Sequence, residues 1–316
     1  MSVGKYSLSV LVQCTVVVCL YGQQAPQISH YMFNTPMYNP ASAGFTNSIV
    51  ASGIHRQQWY GMEGAPQTTL VSFDAPLSVI RSGVGLTIAN DQIGMFNNTS
   101  IQLSYNYQIP FLDGTLGIGI QGGMSSMGLK LTNIITPDNN PNDPVLQDKQ
   151  DASQMLFDFG AGLFYRVFDQ YEIGISLGHI NQPESDHLNY KQRRCLNLSG
   201  SYNFTLAQFP RIDFVPSTLI KSDFTSVQID LSLVGLFNKQ YWGGVTYRLG
   251  DAIVLLGGLN LRQFPLQVGV AYDIATNWMF RVSEVKIGGG FEVFARYSFN
   301  LSVDRIPQSY KNSRFL

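Results

Sequence analysis

Beyond residue 22 no stretch of this chain is apolar for long enough to cross a bilayer as a helix, yet apolar residues recur with period two along most of its length. In TSIQLSYNYQI, Ile101, Leu103, Tyr105, Tyr107 and Ile109 alternate with Gln102, Ser104, Asn106 and Gln108. In LFDFGAGLFYRV, Phe157, Phe159, Ala161, Leu163, Tyr165 and Val167 oppose Asp158, Gly160, Gly162, Phe164 and Arg166. GGGFEVFARYSFN sets Phe291, Val293, Ala295, Tyr297 and Phe299 against Glu292, Arg296, Ser298 and Asn300, with Phe294 as the exception. An extended chain projects successive side chains to opposite faces, so each stretch is a strand with one greasy side. YEIGISLGH and CLNLSGSYNF repeat the pattern, as do stretches near 49–59, 67–75, 83–90, 115–126, 212–221, 227–237, 241–248, 252–261 and 264–273. The total is about fourteen strands, an even number as single-chain outer-membrane barrels require.

The greasy sides need an apolar neighbour, either the core of a sandwich or lipid. Charged residues make up only 13% of the chain, about half the share in a soluble protein. The polar face consists mostly of Gly, Ser, Asn and Gln, with sparse charges at Asp158, Arg166, Glu172, Asp230, Arg248, Glu292 and Arg296. A solvated exterior is normally rich in Lys and Glu, so this face reads as the inside of a wet or plugged lumen. The connections sort the same way. With both termini periplasmic, the long ones, Met127–Gln154, Ile180–Gln192 and Ile274–Ile287, all fall in outward positions, while the inward ones are short. The expectation is an all-β fold, a transmembrane antiparallel β-barrel. Aromatic residues near strand ends, Trp59, Tyr60, Tyr171, Tyr241, Trp242 and Trp278, are expected among lipid headgroups.

Residues 1–22 carry one lysine, an apolar run from about Leu8 to Tyr21, and Gly22 before QQAPQ, the layout of a secretory leader. A transmembrane helix is the competing reading, but the run is short and Gln13 interrupts it. A lipoprotein site before Cys19 is disfavoured by the bulk of Val18. Cys14 and Cys19 depart with a leader, so the mature chain keeps Cys195 and has no internal disulfide. The expected division is a signal peptide over 1–22, an N-terminal plug or periplasmic segment over 23–47, the outer-membrane barrel over 48–301, and a periplasmic tail over 302–316.

The remaining motifs point away from catalysis and cofactors. A net charge of -1 offers no basic field for nucleic acid. GIGIQG, Gly117–Gly122, has the dinucleotide spacing, but it lies within an alternating strand with no helix after it, so its glycines read as bend-permitting residues of an inner face. In PDNNPNDPVLQDKQD, Pro137–Asp151, the oxygens of Asp138, Asn140 and Asn142 are spaced as in a calcium loop, but Asp143 stands where the glycine belongs, and a hydrated external loop is the preferred reading. His30, His55, His179 and His187 have no metal-ligand spacing, and no hydrolase motif occurs.

Residues 23–47 are not strand-like. Asn34, Pro36, Asn39, Pro40 and Gly44 are turn formers, while Tyr31, Met32, Phe33, Met37 and Tyr38 are apolar anchors, as in a folded cap or plug. QISHYMFNTPMYNPASAG, followed by HRQQWYGMEGAPQTTLVSFDAPL and GVGLTIANDQIG, resembles the start of the PorP/SprF family of type IX secretion outer-membrane proteins. The resemblance continues through HINQPES, PSTLIKS, WGGVTYRLGDAIVLLGG, VGVAYDI and the tail SYKNSRFL. Where that family has a Ser-His-Glu group before the last strand, only Glu292 is present. The resemblance implies a barrel of the secretion and gliding machinery of Bacteroidota-type cells. Its implied partners are periplasmic ring components, secreted cargo such as adhesins, and outer-membrane lipid, with no enzymatic activity and no cofactor. Expected partner contacts are Asn34, Pro36, Tyr38, Asn39, Pro40 and Gly44, with Tyr310, Lys311, Arg314, Phe315 and Leu316 of the tail. A stand-alone channel for a small solute is the alternative.

Overall fold

The computed structural model describes residues 26–46, 48–129, 152–185, 190–261, 263–276 and 289–300. Fourteen strands form one closed antiparallel barrel. They are β1 (Ser48–Gln57), β2 (Gln67–Leu77), β3 (Ser82–Ile93), β4 (Phe96–Phe111), β5 (Gly114–Leu129), β6 (Ala152–Val167), β7 (Tyr171–Gly178), β8 (Cys195–Tyr202), β9 (Ile212–Ser222), β10 (Val227–Phe237), β11 (Tyr241–Arg248), β12 (Ala252–Leu261), β13 (Leu266–Ala275) and β14 (Gly290–Asn300). Each strand pairs with its sequence neighbours, and β14 closes the ring on β1 in a register running from Ser48 opposite Asn300 to Gln57 opposite Phe291. Closure leaves no strand edge unpaired, which is what a bilayer demands of a sheet.

The alternation sets the two faces as the sequence predicts. Leu103, Ile120 and Phe157 stand 63%, 61% and 64% exposed on the outside, a large apolar surface that water would not tolerate and acyl chains would. Ser104, Asn106, Asp158, Asp230, Arg248 and Glu292 are buried on the inside. β4, β5 and β6 run 16 residues each. At about 3.3 Å per residue that is roughly 50 Å, so this wall outreaches the hydrocarbon layer even when tilted.

The connections 130–151, 179–194 and 276–289 all leave the same end of the barrel, hereafter the long-loop end. Three other connections at that end, 94–95, 223–226 and 249–251, are tight turns, so the rim there is uneven. At the opposite, short-turn end, Asn238 and Lys239 both take positive φ, 52° and 55°, the geometry of a close hairpin whose twist matches its strands. Glu184–Ser185 and Tyr190–Lys191 form a small hairpin within the connection from β7 to β8. The loop read as a hydrated or calcium-binding segment, residues 137–151, lies outside the described residues, as do the leader, the tail and Trp278.

Candidate functional site: a plugged lumen with two chambers

The segment Pro26–Thr46 lies inside the barrel. It joins β1 at the short-turn end, yet its first described residue, Pro26, sits beside Lys221 toward the long-loop end, so the segment spans the lumen between the two ends. Its sequence allows only short turns. Three 3-10 turns, Tyr31–Phe33, Thr35–Met37 and Pro40–Ser42, are separated by asparagines, and Pro36 and Pro40 stand at turn starts where a missing N–H is no loss. Asn39 caps the third turn, its Oδ1 accepting from the Ala41 N–H at 3.0 Å.

A segment without a ladder of its own must find backbone partners elsewhere, and the barrel wall supplies them. The Asn39 amide donates to the Leu163 carbonyl at 2.8 Å, and the Gly44 N–H to Asp74 at 3.0 Å. The Asn106 amide donates to the Ala43 carbonyl, the Ser176 hydroxyl to the Tyr38 carbonyl, and Arg296 to the Phe33 carbonyl at 3.3 Å. Five strands thus hold the segment. Glycines let it come close: a Cβ at Gly119 would stand 2.4 Å from the Ala41 Cα, and one at Gly162 would stand 2.2 Å from the Asn39 Oδ1. The inner-face glycines of GIGIQG therefore serve approach by another backbone rather than a bend.

A buried ionic network fixes the Ser29–His30 part of the segment. Arg56 and Arg248 are fully buried. Arg56 pairs with Glu292 at 3.1 Å and with Asp273, while Arg248 pairs with Asp273 at 3.3 Å and Asp230 at 3.4 Å. Glu292 in turn accepts from the backbone N–H groups of Ser29 and His30 at 2.7 and 2.9 Å and lies 2.6 Å from the His30 ring. The plug's own Ser29-His30 pair thus meets the glutamate of the last strand, the residue that stands without Ser and His neighbours in its own strand. Tyr31 donates to the Ser232 hydroxyl at 2.9 Å, and burial pushes its pKa up to about 12 against the lowering effect of Ser217 and Ser232.

Apolar contacts complete the seat. Val234, Trp242, Val254, Leu256 and Ala271 form one buried cluster with Met32 and Phe33 against it, and Ile28, Ile54, Leu70 and Phe294 form a second with Phe33 and Met37. His30 stacks on Phe294 at 5.1 Å, and Phe33 lies 4.8 Å from Trp242. Here the expectation for Trp242 fails. It is 4% exposed and faces the lumen, because it shares the parity of Thr246 and Arg248, whereas Tyr60 and Tyr241 are exposed as expected. The lumen wall is therefore apolar where the plug sets apolar side chains against it.

The plug divides the remaining space. On the short-turn side a cavity of about 240 Å³ is lined by Asn34, Pro36, Phe45, Asp74, Glu172 and Arg296. On the long-loop side a cavity of about 140 Å³ is lined by Tyr38, Asn98, Gln121, Asp158, His179 and Asp223, among others. Of the residues expected to meet partners, Asn34 and Pro36 line the first chamber and Tyr38 and Pro40 the second, while Asn39 and Gly44 are spent on the wall. Tyr310, Lys311, Arg314, Phe315 and Leu316 lie outside the described residues. Arg56, Asp74, Lys221 and Asp273 were not singled out in sequence, although each shares a buried strand face. Among the described residues no group of three or more His, Cys, Asp or Glu side chains could hold a metal ion.

A sequence model described as "Type IX secretion system membrane protein PorP/SprF" matches residues 20–297. The chain belongs to this family. No curated protein matches the sequence. Among solved structures the PorP/SprF chain is similar to the TodX deltaS2S3 mutant monoaromatic hydrocarbon channel, with 11% identity, a TM-score of 0.50 and coverage of 85% of this chain and 94% of that one. It is also similar to the CymD monoaromatic hydrocarbon channel, with 12% identity, a TM-score of 0.50 and coverage of 89% and 95%. At these identities the likeness is one of fold: a PorP/SprF protein is an outer-membrane β-barrel.

Proposed function

We propose that this outer-membrane barrel works within the type IX secretion and gliding machinery by protein–protein recognition, holding specific cargo such as adhesins at the cell surface and engaging periplasmic ring components, without catalysing a reaction. The family supports the machine, and the fastened plug supports recognition over conduction. A segment held by five strands and by Glu292 is built to stay, so the lumen offers partners two shaped chambers in place of a pore. By the rule that outer-membrane barrels carry their long loops outside, the long-loop end faces cargo and the short-turn end the periplasm. On that orientation Asn34 and Pro36 and the tail residues Tyr310, Lys311, Arg314, Phe315 and Leu316 are the periplasmic contacts, and the tail's Lys311 and Arg314 favour an acidic partner surface.

Deletion of the gene, with surface adhesin and solute permeability measured side by side, tests the proposal. Adhesin loss with unchanged permeability is expected. Lost uptake of a small solute with normal adhesin display would instead establish a stand-alone channel. Crosslinking in intact cells, with and without residues 309–316, then assigns the ring contact: loss of the periplasmic adduct alone is the expected result.

A further inference from the structure

The long-loop chamber contains polar groups that the fold leaves unsatisfied. Tyr38, Asn98 and Asp158 all line this one cavity, and their buried Oη, Oδ1 and Oδ1 atoms have no hydrogen-bond partner among the described residues. Asp158 is 2% exposed, and its other oxygen is already engaged by Gln102 at 3.0 Å and His179 at 2.9 Å, which aim the carboxyl group. Burial, with Glu292 and Asp230 behind it, pushes the Tyr38 pKa well up, so the group remains a hydroxyl that can donate. Buried polar atoms are nearly always paired, so these three call for partners that the described residues do not supply, and a ligand in the adjoining cavity is one source of them.

The chemistry of that ligand follows from what each class would leave behind. A hydrocarbon would strand all three atoms. An anion would meet the carboxylates of Asp91, Asp158 and Asp223, which outnumber Lys221 and Arg193 on the wall. A simple cation could serve Asp158 but would not give the Tyr38 hydroxyl an acceptor. Vicinal hydroxyl groups both donate and accept, and the ring that carries them has an apolar face. The chamber offers such a face its match in Met37, Leu70 and Ala89, with Gln102 and Gln121 as further amide partners. We infer that the long-loop chamber is a binding site for a neutral polyhydroxylated ring, a saccharide unit, held by Tyr38, Asn98 and Asp158.

The test uses the full chain purified in a detergent without a sugar headgroup, titrated calorimetrically with D-glucose, D-glucosamine and D-glucuronate, and with Tyr38→Phe in parallel. Tyr38→Phe removes only a hydroxyl that has no partner among the described residues, so the melting temperature should hold or rise. Saturable glucose binding is expected, with glucuronate at least tenfold weaker and glucose affinity reduced about tenfold by Tyr38→Phe. Absence of saturable binding by glucose and glucosamine overturns the inference. So does binding of glucosamine alone, which would mark a cation site at Asp158, and so does glucose binding that Tyr38→Phe leaves unchanged.

Discussion

At the scale of single residues the plug is governed by a few buried charges, and their value depends on remaining paired. Glu292 holds two plug N–H groups, the His30 ring and Arg56 at once. Glu292→Ala would leave Arg56 buried with one carboxylate fewer and two backbone donors open, a change expected to cost about 3–5 kcal/mol. Denaturant unfolding in detergent measures it. Lys191→Ala, which breaks the exposed pair with Glu184, should change stability by under about 1 kcal/mol and serves as the control. Tyr31 carries a pH signature. Its pKa is about 12 in the fold against about 10 for an ordinary tyrosine, so the folded state keeps a proton that the unfolded chain releases. Its contribution is complete below pH 10 and is lost as pH climbs from there through about 12. Tyr31→Phe should flatten that alkaline decline in melting temperature; an unchanged profile would remove Tyr31 from the account. Glu292 was legible in sequence as an inward charge, but its partners were not. Ser29 and His30 lie 263 and 262 residues away, a separation that no local pattern encodes.

At the scale of elements, period two carried nearly all the information. The strands from Ile101, Phe157 and Phe291 face as their alternation predicts, because one residue of slip would turn every apolar side chain into the lumen. The inward aromatics share one cause. Phe294 breaks the pattern of β14, and Trp242 was read as a headgroup anchor, since an inward aromatic makes sense only beside an apolar plug. Phe164 behaves likewise, 2% exposed with the Phe45 ring 5.0 Å away. The glycines of β5 belong to the same fit. Gly119→Val would place a branched side chain where the Ala41 backbone already lies, and with both backbones fixed by hydrogen bonds the overpacking should cost at least about 1–3 kcal/mol. The outward neighbour Ile120→Val, facing lipid, should be nearly silent. Limited proteolysis of the segment 26–46 reads the outcome: faster cleavage in Gly119→Val alone is expected, and equal rates in both variants would mean that the close approach is not needed.

At the scale of the whole molecule, a fourteen-stranded ring is wide enough to leave a lumen, so what fills it decides whether solutes pass. Here the filling is a piece of the same chain, fastened by hydrogen bonds to β2, β4, β6, β7 and β14, and its Ser29 and His30 rest on Glu292, which belongs to a network of wall ion pairs across β1, β10, β11, β13 and β14. The grip is distributed around the circumference, so loosening one contact leaves the others in place, and the plug should leave only when several fail together. In planar bilayers the full chain should therefore show no steady conductance. A chain lacking residues 26–46 should show discrete, long-lived openings if the barrel closes without its plug, and a heat-dependent shift in gel mobility checks that closure independently. The double variant Glu292→Ala/Asp74→Ala removes holds at both ends of the plug and should give brief openings between those extremes. Steady conductance of the unaltered chain would contradict a sealed lumen and move the balance from recognition to transport. Silence of a properly closed plugless barrel would show that the wall side chains, not the plug, close the path.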